Sequence, residues 1–171
     1  MLVVKMEKFY RAFEMVIGNE GGYVFDKDDK GGETKFGISK RSYPDLDIKN
    51  LSLEEAREIY FMDFWNTERG NLEMLPESVA IEVFDTGVNM GIEMGRKILQ
   101  KSLNLLNRVE TLYPDLKVDG WLGDTTLKAL EKVETNKLLK VLNGLQFMKY
   151  YSIVEHDHSQ EKFFAGWIER T

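Results

Sequence analysis

The sequence predicts a mainly α protein with one small β element near its N-terminus, on three observations. Apolar residues recur at three- and four-residue steps along most of the chain. Capping residues, proline and glycine mark where each periodic stretch starts and stops. Only residues 23–39 break the pattern, with short β-prone runs around a glycine-rich polar turn.

The elements follow in order. The first helix carries Met6, Phe9, Tyr10, Phe13, Val16 and Ile17 on one stripe, and Gly21-Gly22 stop it. Tyr23-Val24-Phe25, the turn Asp26 to Gly32 and the run Thr34 to Ser39 read as a hairpin. Ser52 and Glu55 form a capping-box pattern that opens a helix through Leu53, Ala56, Ile59, Tyr60 and Phe64. Pro76 starts the next helix, whose inner face is Val79, Ala80, Val83, Phe84 and Val88. Gly91 punctuates it, and an amphipathic helix runs from about Ile92 to Asn107. Asp119-Gly120-Trp121-Leu122-Gly123 opens a short helix through Leu127 and Leu130. A long helix from about Asn136 to Val154 places Leu138, Leu139, Leu142, Leu145 and Met148 on its core stripe. A last short helix contains Phe163, Phe164, Trp167 and Ile168. No Ser/Pro/Gly-rich linker and no internal repeat interrupts this order.

Glu20 is the next member of the first apolar stripe, three residues after Ile17 and four after Val16. A carboxyl turned into an apolar face at a helix C-terminus meets desolvation and the negative end of the helix dipole. Both disfavour its charged form, which suits a general acid. The other reading is a frayed last turn with Glu20 in water. The helix pattern alone allows both.

The bulk composition removes several function classes. With 171 residues, 43% apolar and 12% aromatic, the chain has material for one compact domain or two small lobes sharing a core. It has no cysteine, which excludes disulfides, thiolate catalysis and cysteine-ligated metals. His156 and His158 are the only imidazoles and lie in one polar tract that reads as a solvated loop. No metal and no cofactor is expected. The net charge is −6 and no Lys/Arg stripe appears, so no nucleic-acid partner is expected. The opening Met-Leu-Val-Val run is interrupted at Lys5 and is too short for a signal peptide or a membrane span. The expectation is a soluble monomer, made in the cytoplasm without stable membrane insertion.

Glu20-Gly21-Gly22-Tyr23, then Asp29, then Gly31-Gly32-Glu33-Thr34-Lys35-Phe36-Gly37-Ile38 resemble the signature of the glycoside hydrolase family 108 muramidases. That family has a lysozyme-like fold and includes phage endolysins and secretion-activator proteins. The similarity continues through Ile59-Tyr60, Phe64-Trp65, Phe84-Asp85, Val88-Asn89 and Gly91. Leu99-Gln100, the stretch Asp119 to Gly123, Thr125-Thr126 and Gly166-Trp167-Ile168-Glu169-Arg170 resemble the peptidoglycan-binding-like region usually fused to it. The resemblance covers nearly the whole chain. It divides the chain into a lysozyme-like catalytic region, residues 1–91, and a peptidoglycan-binding-like helical region, residues 92–171, packed on it. Lys30 and Asp124 stand where the family usually has proline, and neither change removes a reactive group.

The resemblance implies an N-acetylmuramidase that cleaves the MurNAc–GlcNAc β-1,4 bond of peptidoglycan strands by general acid/base catalysis. Its alternative is a non-catalytic peptidoglycan-binding or secretion-assisting protein on the same scaffold. Either would act on the cell wall after release, as a phage or prophage endolysin or in association with secretion. Glu20 matches the family's catalytic glutamate and Asp29 is the best second carboxylate, with Asp26 and Asp28 as rivals and solvated turn residues as the other reading. Thr34 completes a Glu, Asp, Thr spacing similar to the triads of phage-type lysozymes. A calcium loop does not fit, because Lys30 fills a ligand position and Gly37 stands where the bidentate glutamate belongs. Tyr23, Tyr60 and Trp65 are the aromatic candidates for a sugar cleft, with core packing as the alternative. Asp85 and Asn89, four apart on one helix face, are the polar candidates for substrate binding, or for a hydrogen bond across the lobe interface. Trp121, Trp167 and Arg170 are expected to lock the C-terminal region onto the core, with sugar binding as the alternative.

Overall fold

The structure is a computed structural model that describes residues 6–17, 22–25 and 32–169. The chain divides into two compact units, residues 1–67 and 68–171, and each builds its own core.

In the first unit, α1 (Glu7–Val16) buries Phe9, Ala12 and Phe13 from the expected stripe. Three strands follow, β1 (Val24–Phe25), β2 (Glu33–Lys35) and β3 (Ile38–Ser39), and they form one antiparallel sheet in chain order. Val24 is paired with Thr34 and Phe25 with Glu33, while Thr34 pairs with Ser39 and Lys35 with Ile38. The run from Thr34 to Ser39, expected as one strand of a hairpin, is therefore two strands. Phe36 (φ 51°) and Gly37 (φ 76°) both lie in the left-handed region and reverse the chain between them. Two such residues in succession make the tight turn whose twist matches its flanking strands.

The helix α2 (Leu53–Tyr60) begins at the expected capping box. The Ser52 N–H donates to Glu55 Oε2 at 2.8 Å, and the Glu55 N–H donates to Ser52 Oγ at 3.2 Å. The helix buries Ala56 and Tyr60, yet the next residue on that stripe is Trp65 and not Phe64. Residues Phe61–Trp65 are wound as a π-helix, closed by the Asn66 N–H on the Phe61 carbonyl. One π turn sets residue i+5 over residue i, which carries Trp65 under Tyr60 into full burial at 0% exposure. Phe9 meets the edges of Phe61 and Trp65 with ring centroids 5.2 and 5.6 Å away, and Phe13 meets Tyr60 at 5.7 Å. Ile38, Ile48 and Leu51 complete this core, and β4 (Asn66–Thr67) ends the unit.

The second unit opens with β5 (Gly70–Asn71) and a 3-10 turn at Leu72–Met74. It continues with α3 (Glu77–Met90), α4 (Ile92–Leu106), α5 (Asp124–Leu130), α6 (Thr135–His156) and α7 (Glu161–Ile168). Val79, Ala80, Val83 and Phe84 of α3 are buried with Ile98, Leu99 and Leu103 of α4, while Val88 is half-buried. Gly91, at φ 91°, turns the chain between the two helices as expected. Their backbones approach so closely that a Cβ on Gly95 would stand 2.7 Å from the Val83 carbonyl oxygen. In α6 the buried residues are Leu138, Leu142, Gln146 and Tyr150, at strict four-residue steps. Met148, expected on the core stripe, is 64% exposed, and Leu139 and Leu145 are only half-buried. Trp167 of α7 stacks on Tyr150 at 5.2 Å. His156 and His158 are exposed, but the tract expected as a loop is the end of α6 and a 3-10 turn at His158–Gln160. Among the described residues, no helix is long and apolar enough to cross a membrane.

Candidate functional site

Of the nominated catalytic residues, Thr34 lies among the described ones, in the sheet of the first unit. Glu20, Asp26, Asp28, Asp29, Lys30 and Arg170 lie outside those residues. Thr34 lies on the central strand β2, with its backbone register set by Val24 on one side and Ser39 on the other. Alternation along that strand puts Glu33 and Lys35 on one face and Thr34 on the other. Tyr23, next to Val24, is 39% exposed and donates its hydroxyl to Glu33 Oε1 at 3.1 Å. Desolvation first, then that hydrogen bond and the Glu33 charge, hold the Tyr23 phenol above its ordinary pKa. Tyr23, just before β1, reaches Glu33 and so lies on the face of this small sheet opposite Thr34. An exposed ring there can face the C–H surface of a sugar.

Two of the nominated aromatics have another place. Tyr60 is 2% exposed and donates its hydroxyl to the Phe36 carbonyl at 3.1 Å. A Cβ on Gly37 would lie 2.6 Å from that hydroxyl. Tyr60 therefore holds the Phe36-Gly37 turn from beneath and positions the β2–β3 pair from the core. Trp65 is fully buried against Phe9. Both are corrections to the expectation that they line a cleft. The reason for Trp65 is the π turn, which moves it one position around the helix axis.

Asp85 and Asn89 share a face of α3 in the second unit. Asp85 is 6% exposed and accepts from Gln146 Nε2 of α6 at 3.5 Å. Asn89 is exposed, and its amide donates to the Asp85 carbonyl at 2.9 Å. Burial turns Asp85 away from a substrate role and into a polar link between α3 and α6. The helix spacing identified the pair but not its direction.

The residue missed by the sequence reading is Glu82, three positions before Asp85. Its Oε1 is buried without a hydrogen-bond partner. Desolvation first, and the Asp85 charge second, push its carboxyl from 4.5 up to about 7. A glutamate inside the apolar run Val79-Ala80-Ile81-Glu82-Val83-Phe84 is the signal that could have singled it out. Trp121, expected to lock the C-terminal region, is instead 52% exposed. Trp167 does pack, on Tyr150. Among the described residues, no group of three or more His, Asp or Glu side chains could hold a metal ion.

Comparison with known proteins agrees with the element order. Residues 13–91 match the glycosyl hydrolase 108 family, and residues 94–171 match the predicted peptidoglycan domain family. Ten solved chains match, among them Brucella abortus SagA, at 25% identity and a TM-score of 0.73 over 95% of this chain and 88% of that one. No curated protein matches. The fold is mainly α and lysozyme-like, with α1 leading into a small sheet and a helical bundle after it. The chain therefore carries a region that matches the glycosyl hydrolase 108 family, residues 13–91, followed by one that matches the predicted peptidoglycan domain family, residues 94–171.

Proposed function

We propose that the protein is an N-acetylmuramidase, which hydrolyses the MurNAc–GlcNAc β-1,4 bond of peptidoglycan by general acid/base catalysis. The observation that carries this reading is the glycosyl hydrolase 108 match across residues 13–91, a span that contains Glu20, Asp29 and Thr34 in order. Breaking the bond requires a proton on the leaving oxygen and stabilisation of an oxocarbenium-like transition state. Glu20, following α1 in sequence, is the proton donor. A tuned acid supplies roughly 10²–10⁴ in rate, or about 3–5 kcal/mol of barrier. Asp29 steadies positive charge at the anomeric carbon and activates water, and Thr34 hydrogen-bonds that water from a strand held on both sides. Residues 1–91 supply the chemistry and residues 92–171 hold the glycan strand.

Glu20→Gln keeps the shape of the side chain and removes its acidity. The variant should unfold at the same temperature as the parent and clear cell-wall suspensions at least a hundredfold more slowly. Mass spectrometry of the parent's digest should find new reducing ends on MurNAc. Lysis by Glu20→Gln at near the parent rate overturns the assignment. Binding to sacculi by the parent without new reducing ends would instead support a non-catalytic peptidoglycan-binding protein.

A further inference from the structure

The segment Asp119 to Gly123 of the second unit borders a hollow of about 220 Å³, whose wall includes Gln100, Lys117, Asp119, Trp121 and Thr125. Its backbone is held on several sides. The Trp121 N–H donates to Asp119 Oδ1 at 2.9 Å, and the Trp121 carbonyl accepts from Gln100 Nε2 at 2.9 Å and Thr126 Oγ1 at 3.2 Å. The Leu122 N–H donates to the Arg69 carbonyl at 2.8 Å. Gln100, itself 2% exposed, also accepts the Gly120 N–H at 2.8 Å and donates to Asp119 Oδ1 at 3.1 Å.

This frame fixes the main chain of Trp121 and leaves its side chain outside. The residue is 52% exposed, although the Arg69 guanidinium lies over its ring at 5.9 Å from the centroid. A large indole held at the surface by a rigid loop does not stabilise a core, and it offers an apolar face beside the hollow's polar groups. Around it stand groups of complementary chemistry. The hydrogen bond from the Trp121 N–H, then that from Gln100, hold the Asp119 carboxyl below the usual range, so it is an acceptor at neutral pH. Lys117, whose Nζ stands 3.7 Å from Asp119 Oδ2, is a donor with 87% of its side chain open to water, and Thr125 adds an exposed hydroxyl.

We propose that this hollow is a saccharide subsite, in which one N-acetylated hexopyranose of a glycan strand lies against Trp121 with its polar groups on Asp119, Lys117 and Thr125. A pyranose ring presents an apolar C–H face to an aromatic ring and hydroxyls to acceptors and donors at its edge. Pockets for drug-sized ligands run from roughly 300 to 1,000 Å³, so this one admits a single ring while the strand continues over the surface. The pinned loop has little freedom left to lose on binding, which favours affinity. The inference rests on the peptidoglycan reading and states where within residues 94–171 a strand is held.

The test uses the full chain and its Trp121→Ala and Trp121→Phe variants in co-sedimentation with purified sacculi. A second arm follows the Trp121 indole N–H by NMR as a GlcNAc–MurNAc disaccharide or a sugar-free stem peptide is added. Trp121→Ala should bind sacculi at least tenfold more weakly, with its unfolding temperature unchanged, and Trp121→Phe should recover most of the binding. The disaccharide should move the indole signal and the peptide should not. Equal binding by Trp121→Ala and the parent, or a response to the peptide alone, overturns the subsite. If the parent itself ignores sacculi, the peptidoglycan reading fails and takes the subsite with it.

Discussion

Replacing Gly95 and Gly144 separately by alanine should move stability in opposite directions, although both lie inside helices. Gly95 is in α4 and Gly144 in α6. In a helix interior the exchange alone favours folding by about 0.8–1 kcal/mol. Nothing lies within 4 Å of an added Cβ at Gly144. Gly144→Ala should therefore gain about 1 kcal/mol, or roughly 2–4 °C in midpoint for a chain of this size. At Gly95 the Cβ would stand 2.7 Å from the Val83 carbonyl oxygen, 3.2 Å from Gly87 N and 3.5 Å from Gly87 Cα. These are backbone atoms, so no change of rotamer relieves the clash. Restoring an ordinary separation of about 3.5 Å requires α3 and α4 to part by about 0.8 Å. Overpacking of this kind costs about 1–3 kcal/mol, and a whole-helix shift belongs at the upper end. Net of the helix gain, Gly95→Ala should lose about 2 kcal/mol, or roughly 4–8 °C. Thermal unfolding by circular dichroism, with urea titration as a second measure, reads both. Equal midpoints for the two variants, or a gain at Gly95, would refute the close backbone contact.

Other expectations follow from single groups. Tyr60→Phe removes the hydrogen bond to the Phe36 carbonyl and should lower stability by about 1 kcal/mol with KM on sacculi unchanged; a raised KM with an unchanged midpoint would return Tyr60 to the substrate. Glu82 has a folded-state pKa of about 7 against an ordinary 4.5, so the native state binds the proton more tightly and stability falls as pH rises between those values. The loss is on the order of 3 kcal/mol. Glu82→Gln cannot ionise, so it should exceed the parent in stability by about that amount at pH 8 and match it near pH 4. Urea unfolding at both pH values checks this, and a constant difference between variant and parent would sink it.

What the sequence made legible was local. The Ser52–Glu55 box, the Pro76 start and the Gly91 break each act within a few residues, and each stands where the pattern placed it. What escaped depends on partners distant in sequence or on a change of winding. Phe36 carries no mark of a left-handed backbone, and the turn that splits Thr34 from Ser39 is held by Tyr60, 24 residues from Phe36. A single π turn moved Trp65 from a nominated cleft into the core. Gln146 and Tyr150 complete the buried ladder of α6, yet hydropathy favours Leu145 and Met148. The same difficulty applied to the site. Spacing placed Asp85 and Asn89 on one face correctly, but only packing distinguishes a buried link to Gln146 from a surface that meets substrate.

The boundary between the matched families and the boundary in packing fall at different places. The hydrolase match ends at residue 91 and the peptidoglycan match begins at 94, whereas the compact units divide between residues 67 and 68. Helix α3 is thus hydrolase by sequence and belongs by packing with α4 and α6. Val79, Val83 and Phe84 are each 0% exposed. At about 1.5–3 kcal/mol per buried side chain, these three supply roughly 5–9 kcal/mol. That rivals the whole stability of a typical domain, about 5–15 kcal/mol. A fragment of residues 92–171 loses this contribution and exposes the faces of α4 that carried Leu99 and Leu103. It should unfold without a cooperative transition, while residues 68–171 should retain one. Both fragments contain Trp121 and Trp167, so near-UV circular dichroism reads them alike. A cooperative transition in residues 92–171 at the midpoint of the longer fragment would show that α3 is dispensable. If the longer fragment alone folds, the platform at Trp121 depends on a helix from the neighbouring family region, and destabilising changes in α3 should weaken sacculus binding without touching the hollow.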